Sequence, residues 1–158
     1  MSLFLPDKID LELADVAVSS DDIPWIPNGQ GFSFKPLHFW PATGTWANLV
    51  RLEPGGQIRR HVHAGGQVFA YVLQGSWHYL EHDWVAVKGS WVWEPPGDVH
   101  TLEVLGEEPM VTLFVISGVI QYLDDDDQVV QQDDYRSRRA VYLRYCEEQG
   151  LEPIAIMS

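Results

Sequence analysis

Residues 54–66 read PGGQIRRHVHAGG, and residues 89–100 read GSWVWEPPGDVH. In an extended strand alternate side chains point to the same face, so His61 and His63 are predicted to point together while Val62 points away. The second stretch ends on a third histidine, His100. Neutral imidazoles suit Fe, Zn, Ni and Cu, and three protein ligands leave positions open for water, substrate or oxygen. The two stretches therefore predict a three-histidine metal site.

Around these stretches, from about residue 32 to about residue 130, the chain consists of short β-rich runs bounded by turn residues. Pro54-Gly55-Gly56 and Pro95-Pro96-Gly97 are two such turns, because glycine supplies positive φ angles and proline fixes a bend. Turn signals at this spacing predict an antiparallel sandwich or barrel. The predicted strands are 45–53, 57–63, 68–74, 76–81, 84–87, 90–94, 100–105, 110–116 and 118–123.

Different structure is predicted at the two ends of the chain. Residues 1 to about 30 have the pattern of an extended arm that ends in turns. Near the C-terminus a helix is predicted over about 134–149, with Asp133 or Asp134 as its cap and Gly150 as its stop signal. Its inner face is predicted from side chains at helical spacing, namely Tyr135, Arg139, Tyr142 and Cys146. No boundary for a second domain is visible, so we expect one domain over 1–158.

Composition excludes several classes of function. The 158 residues are 46% hydrophobic, enough for one substantial core, and the formal net charge is −13. Such a charge repels phosphate backbones and anionic lipid surfaces, so we expect no nucleic-acid partner. No apolar run approaches the ~20 residues of a membrane span, and no signal peptide is apparent. A soluble cytoplasmic protein is expected, with the single cysteine, Cys146, packed in its core.

The spacing Gly55-x5-His61-x-His63 followed by Gly75, and then Gly89-x5-Pro95-x-Gly97-x2-His100, resembles the paired signature of the cupin superfamily. Cupins are small β-barrels in which two signature hairpins bring their histidines to one metal inside the barrel. The resemblance implies an all-β, single-domain cupin, an RmlC-like β-barrel or jelly roll with an N-terminal arm and a C-terminal helix. It also implies that the barrel often pairs through edge strands, so we expect a homo-oligomer, a dimer or a tetramer.

One departure from the cupin pattern affects the chemistry. The first cupin motif usually carries a glutamate a few residues after its second histidine, and this chain has Gln67 or Val68 there. Without that carboxylate the metal is expected to have three imidazole ligands, a more positive centre and one more open position. Gln67 is a candidate donor to a bound water or substrate oxygen.

Residues 74–86 and 93–102 resemble the 2,4'-dihydroxyacetophenone dioxygenases and, more distantly, the acetylacetone dioxygenases. That resemblance implies a mononuclear non-haem Fe(II) held by His61, His63 and His100, and cleavage by O2 of a carbon–carbon bond beside a carbonyl. Zinc and nickel are alternative ions, since imidazole accepts both readily. Glu94, six residues before His100, is the second catalytic candidate beside Gln67, placed to orient a water or accept a substrate proton.

The expected partners are therefore a small carbonyl substrate and O2. Two other functions fit the same fold: a non-catalytic cupin that binds a metal or a small ligand, and a cupin isomerase or epimerase. Aromatic side chains around the barrel are candidates for the walls of an apolar substrate pocket, namely Phe69, Trp77, Tyr79, Trp91 and Trp93.

Overall fold

The computed structural model describes residues 16–29 and 31–158. Half of the predicted N-terminal arm, residues 1–15, lies outside the described residues. Within the described part no helix is long and apolar enough to span a membrane. The strands are β1 Ile26–Pro27, β2 Phe32–Trp40, β3 Thr45–Leu52, β4 Gln57–Ala64, β5 Val68–Gln74, β6 Ser76–Tyr79, β7 Val85–Val87, β8 Trp91–Glu94, β9 Val99–Leu105, β10 Met110–Ser117, β11 Val119–Leu123, β12 Val129–Asp133 and β13 Ile156–Met157, and the helix is α1 Tyr135–Gln149.

The strands form two sheets, which confirms the predicted all-β barrel or jelly roll. One has the order β1-β2-β3-β10-β5-β8 with β13 added beside β2, and the other has the order β12-β11-β4-β9-β6-β7. All pairings are antiparallel except that of β13 with β2. The nine predicted strands correspond to β3–β11, whereas β1, β2, β12 and β13 fall outside the predicted runs. Strand β12 has no inward face to detect, because four of its five residues are exposed.

Strict alternation of burial builds the core between the sheets. In β10 every second residue is buried, and β9 follows the same pattern with His100, Leu102 and Val104 facing inward. In β4 the inward positions near the strand's end are His61 and His63. The three histidines thus occupy places that other strands fill with apolar side chains.

Helix α1 begins at its predicted cap, Asp134, whose carboxylate accepts hydrogen bonds from two backbone N–H groups of the first turn. It ends at Gly150, which takes the left-handed conformation (φ 66°) that glycine tolerates best. Its buried residues are Arg138, Tyr142 and Cys146. Cys146 is therefore a core residue as predicted, but the prediction of Arg139 on the inner face was wrong: the buried arginine is Arg138, four residues before Tyr142.

Candidate metal centre

Strand pairing brings the three predicted metal ligands together. His61 and His63 lie on β4, His100 lies on β9, and His61 is the direct cross-strand partner of His100. A register irregularity between Ile58 and His61 precedes this pair. The turn before His100 is tied to the same strand, because the Gly97 N–H donates to the His63 carbonyl at 2.9 Å. Gly97 has φ of 92°, a conformation that disfavours any side chain.

The rings converge on one point inside the barrel. Their centroids are separated by 5.0 Å (His61 to His63), 4.6 Å (His61 to His100) and 5.6 Å (His63 to His100). One ring nitrogen from each histidine lies within 4.8 Å of the others. All three residues are at most 4% exposed. Such a cluster of buried nitrogens has the spacing and the donor type of a metal site.

Burial keeps these imidazoles neutral, which is the form that binds metal. Desolvation, with help from the His100 ring, lowers the pKa of His61 to about 3. Desolvation and the two neighbouring histidines lower the pKa of His63 to about 2. The pKa of His100 is also lowered by burial. In His61 the Nδ1–H donates to the Arg59 carbonyl at 2.8 Å, which leaves Nε2 as its ligating nitrogen.

A carboxylate at the edge of the site orients His100. Asp98 Oδ2 lies 3.4 Å from His100 Nδ1 and 2.7 Å from His82 Nε2. A carboxylate on Nδ1 fixes a metal-binding histidine with Nε2 free, and His100 Nε2 has no hydrogen-bond partner. One face of the His100 ring stacks on Tyr79, with centroids 3.8 Å apart and planes 7° from parallel. Sequence reasoning missed Asp98, which lies in the turn just before β9, two residues before His100.

Glu94 lies beside the histidines in the interior. Its carboxyl oxygens are 3.7 Å from His63 Nε2 and 3.8 Å from His100 Nε2, and the residue is 3% exposed. Neither oxygen has a hydrogen-bond partner. Burial, and secondarily the charge of Asp98, raises the pKa of Glu94 to about 8. A buried carboxyl without partners is costly, and a cation at the three histidines would relieve that cost.

Gln67, the other catalytic candidate, has a different environment. It is exposed, and its side-chain carbonyl accepts a hydrogen bond from the Trp93 indole at 2.8 Å. Trp93 belongs to the outer face of its sheet and is 55% exposed, whereas Glu94 faces inward opposite Val68. Gln67 therefore sits on the outside of the barrel, and the geometry gives no support to a catalytic role for it.

An apolar cavity of about 40 Å³ adjoins the histidines. A wider pocket of about 220 Å³ shares three wall residues with it, Phe32, Ile58 and Tyr122, and opens outward. Of the five aromatic residues predicted as pocket walls only Tyr79 lines the cavity, and Trp91 and Trp93 face outward. Among the described residues, the inner cavity is lined by Phe32, Asn48, Val50, Ile58, His61, His63, Tyr79, Leu102, Phe114, Ile116, Ile120, Tyr122 and Arg138.

The model of the ChrR cupin-like domain matches residues 13–128, which include all strands of the site. The chain belongs to this cupin family. The cupin resemblance of the two histidine motifs is therefore confirmed, and the fold built from them is the one that the resemblance implied. None of the curated proteins matches the chain.

Solved cupin structures resemble this one over most of its length. An RmlC-like cupin from Ralstonia eutropha JMP134 is 31% identical, with a TM-score of 0.85 over 90% of this chain and 93% of that chain. An acetylacetone dioxygenase from Acinetobacter johnsonii is 17% identical, with a TM-score of 0.73 over 90% and 99%. A cupin sugar phosphate isomerase from Silicibacter pomeroyi DSS-3 is 25% identical, with a TM-score of 0.55 over 70% and 83%.

Proposed function

We propose that this cupin is a metal-dependent dioxygenase that uses O2 to cleave a carbon–carbon bond next to a carbonyl in a hydroxyketone or β-diketone. The observation that carries the proposal is the convergence of three buried, neutral imidazoles and one unpartnered carboxyl, Glu94, beside an apolar cavity. The acetylacetone dioxygenase from Acinetobacter johnsonii shares this fold over nearly its whole length, which is consistent with the proposal.

His61, His63 and His100 would hold a single divalent metal. When bound, such an ion polarises carbonyl oxygens, lowers the cost of forming an enolate and, in the case of Fe(II), supplies the redox chemistry for O2. Fe(II) is the proposed ion for activity, while zinc and nickel fit the same nitrogens. The unpartnered His100 Nε2 and Glu94 oxygens are the observations that fit a cation here.

The chain's own residues have three tasks in this proposal. Glu94, once a bound cation stabilises its ionised form, takes the proton that a diketone or hydroxyketone loses on enolisation, because its oxygens lie within 4 Å of two ligand nitrogens. Asp98 and Tyr79 fix the ring of His100 from two sides. The apolar walls, among them Leu102, Phe114 and Ile116, exclude water from the reacting carbonyl.

A cupin isomerase is the second candidate, because a sugar phosphate isomerase from Silicibacter pomeroyi shares the fold. A buried carboxyl beside a metal suits proton transfer between carbons as well as oxygenation. The two functions differ in their need for oxygen. An isomerase converts its substrate fully to the isomer under anaerobic conditions and consumes no O2.

The test is anaerobic loading of the metal-free protein with Fe(II), followed by air and a screen of substrates in an oxygen electrode. The screen contains pentane-2,4-dione, 2,4-dioxopentanoate and 2,4'-dihydroxyacetophenone. We expect oxygen uptake with at least one compound, none from the zinc-loaded protein, and none from His100→Ala. If the Fe(II) protein takes up no oxygen with any of the three, or if His100→Ala behaves like the parent, the proposal is wrong.

The proposal includes self-association into a dimer or tetramer. Its support is a set of exposed aromatic side chains at one edge of a sheet, where Tyr71 and Trp91 are direct cross-strand partners and are 42% and 63% exposed. Sedimentation velocity of the parent and of Trp91→Glu tests this, with a shift toward the monomer expected for the variant. A cytoplasmic location stays a prediction.

A further inference from the structure

Arg138 is an unusual residue for the inner face of a surface helix. It is 3% exposed and lines the cavity that contains His61 and His63. Its Nε and Nη1 atoms have no hydrogen-bond partner, Nη2 lies 3.5 Å from Asp133 Oδ2, and the guanidinium also lies beside the Tyr122 hydroxyl. The guanidinium lies against the ring faces of Phe32 and Phe34, 5.3 Å and 4.9 Å from their centroids. A guanidinium buried with so few acceptors is strongly destabilising unless a ligand supplies them.

A second unpartnered donor lines the same cavity. Asn48, on β3 in the sheet opposite the histidines, is 1% exposed, and its Nδ2 atom has no hydrogen-bond partner. Arg138 and Asn48 thus present N–H donors from the helix and from the opposite sheet toward one space. Among the residues that the structure describes, the lining includes no Asp or Glu carboxylate, so the described part of the cavity wall offers these donors no charged acceptor.

A purely structural role explains these observations less well. In that role Asp133 would neutralise Arg138, but Asp133 reaches a single guanidinium nitrogen at the outer limit of hydrogen-bond distance. It also accepts a hydrogen bond from the Ser137 hydroxyl at 3.1 Å. Two of the three guanidinium nitrogens and the Asn48 amide would then stay permanently unpaired in an apolar cavity.

We infer that Arg138, assisted by Asn48, binds a carboxylate of the substrate, so that the substrate is a short oxo acid rather than a neutral diketone or an aryl ketone. Guanidinium groups bind carboxylate and phosphate alike. The inner cavity of about 40 Å³ favours the smaller carboxylate. Asn48 lies within the family match, which ends at residue 128, whereas Arg138 lies beyond it. The inference rests on the proposed function for the identity of the reacting carbonyl.

The test is calorimetric binding to the zinc-loaded full-length protein, which needs no turnover. Two probes differ by one group: pentane-2,4-dione and 2,4-dioxopentanoate, in which a carboxylate replaces a methyl. Dihydroxyacetone phosphate tests the phosphate alternative. The variants are Arg138→Met, which keeps the stem without the charge, Arg138→Lys, which restores a charge, and the exposed control Arg136→Met on the same helix.

For the parent we expect 2,4-dioxopentanoate to bind at least tenfold more tightly than the dione, the size of one charge-assisted hydrogen bond. Arg138→Met should lose that preference without weakening dione binding, Arg138→Lys should recover part of it, and Arg136→Met should match the parent. Equal binding of the two probes by the parent overturns the inference even if Arg138→Met fails to fold. Arg138-dependent binding that is tighter for the phosphate overturns the carboxylate assignment.

The two proposals fail in different ways. Arg138-dependent binding of 2,4-dioxopentanoate to the zinc protein without oxygen uptake by the Fe(II) protein would leave the anion site intact and refute the dioxygenase. Oxygen uptake with pentane-2,4-dione, together with equal binding of the two probes, would support the dioxygenase and refute the anion site.

Discussion

The metal-free parent should become less stable as the pH rises into the alkaline range, because Glu94 ionises. Replacing Glu94 by glutamine should abolish this decrease in stability. The pKa of Glu94 is raised from 4.5 to about 8 in the fold, mainly because the carboxyl is buried. The folded state therefore holds a proton that the unfolded chain has already released. For a group whose folded pKa is raised, the stabilisation is complete below the unfolded value and is lost as the pH rises through the folded value.

The magnitude follows from the size of the shift. One pKa unit corresponds to about 1.4 kcal/mol, so a rise from 4.5 to about 8 corresponds to roughly 4 to 5 kcal/mol once the pH exceeds 8. Only a small part of this loss, less than about 1 kcal/mol, is present at about pH 5, because that pH is only slightly above the unfolded pKa of 4.5. For a chain of this length the difference between the two pH values corresponds to a shift in melting temperature on the order of 10 °C.

The assay is thermal unfolding of metal-free parent and Glu94→Gln at about pH 5 and about pH 9. An uncharged amide buried in an apolar site also destabilises the fold, but by the same amount at both pH values. The change in melting temperature between the two pH values, compared between parent and variant, therefore reports only the ionisation of Glu94. The histidine protonations occur in both proteins and cancel. The exposed Glu107→Gln serves as the control. Parent and Glu94→Gln melting temperatures that stay parallel from pH 5 to pH 9 would refute the reasoning. Zinc should also reduce the parent's alkaline loss, because a cation stabilises the carboxylate.

Two further predictions concern the support of the site and the helix. Asp98→Asn should lower zinc affinity about tenfold in a chelator competition, because Asp98 orients His100 through Nδ1, while the exposed Asp83→Asn should not; equal affinities would show that His100 is held by packing alone. Asp134→Ala should cost about 1 kcal/mol in urea unfolding through loss of the helix cap, and an unchanged midpoint would contradict the observed capping bonds.

The nine central strands were predicted from β-rich runs between turn residues, and the three histidines were singled out by their spacing; period-two alternation then predicted that His61 and His63 share a face. It works for His61, His63 and His100 because β4 and β9 are half-buried strands in which face and sequence parity coincide. It failed for β12, which is almost wholly exposed and therefore shows no alternation of buried and exposed side chains. The local pattern could not predict that His61 pairs with His100. The register between neighbouring strands depends on turns and bulges that lie far apart in the chain.

The residues that line the cavity beyond the histidines were harder to predict. Asn48 occupies an inward position of β3, but a neutral amide in a strand gives no chemical signal by itself. Arg138 lies at helical spacing with Tyr142 and Cys146, yet a long basic side chain is normally assigned to the solvent face. Its burial depends on how α1 docks against β2, which is a tertiary property that no window of sequence contains.

Strand β8 shows why these exceptions point to function. Its sequence, Trp91-Val92-Trp93-Glu94, would bury more apolar surface with the two tryptophans inward and the glutamate outward, and a shift of one residue would achieve this. The fold does the opposite: Val92 and Glu94 are buried, and the tryptophans are more than half exposed. Strand β8 therefore buries less apolar surface than it could, and it places an unpartnered carboxyl beside three imidazoles. Both features reduce the stability of the fold. Such features are expected where a site, rather than the core, determines the residue. A cation bound at the three histidines would supply a partner both for the buried Glu94 carboxyl and for the neutral imidazole nitrogens.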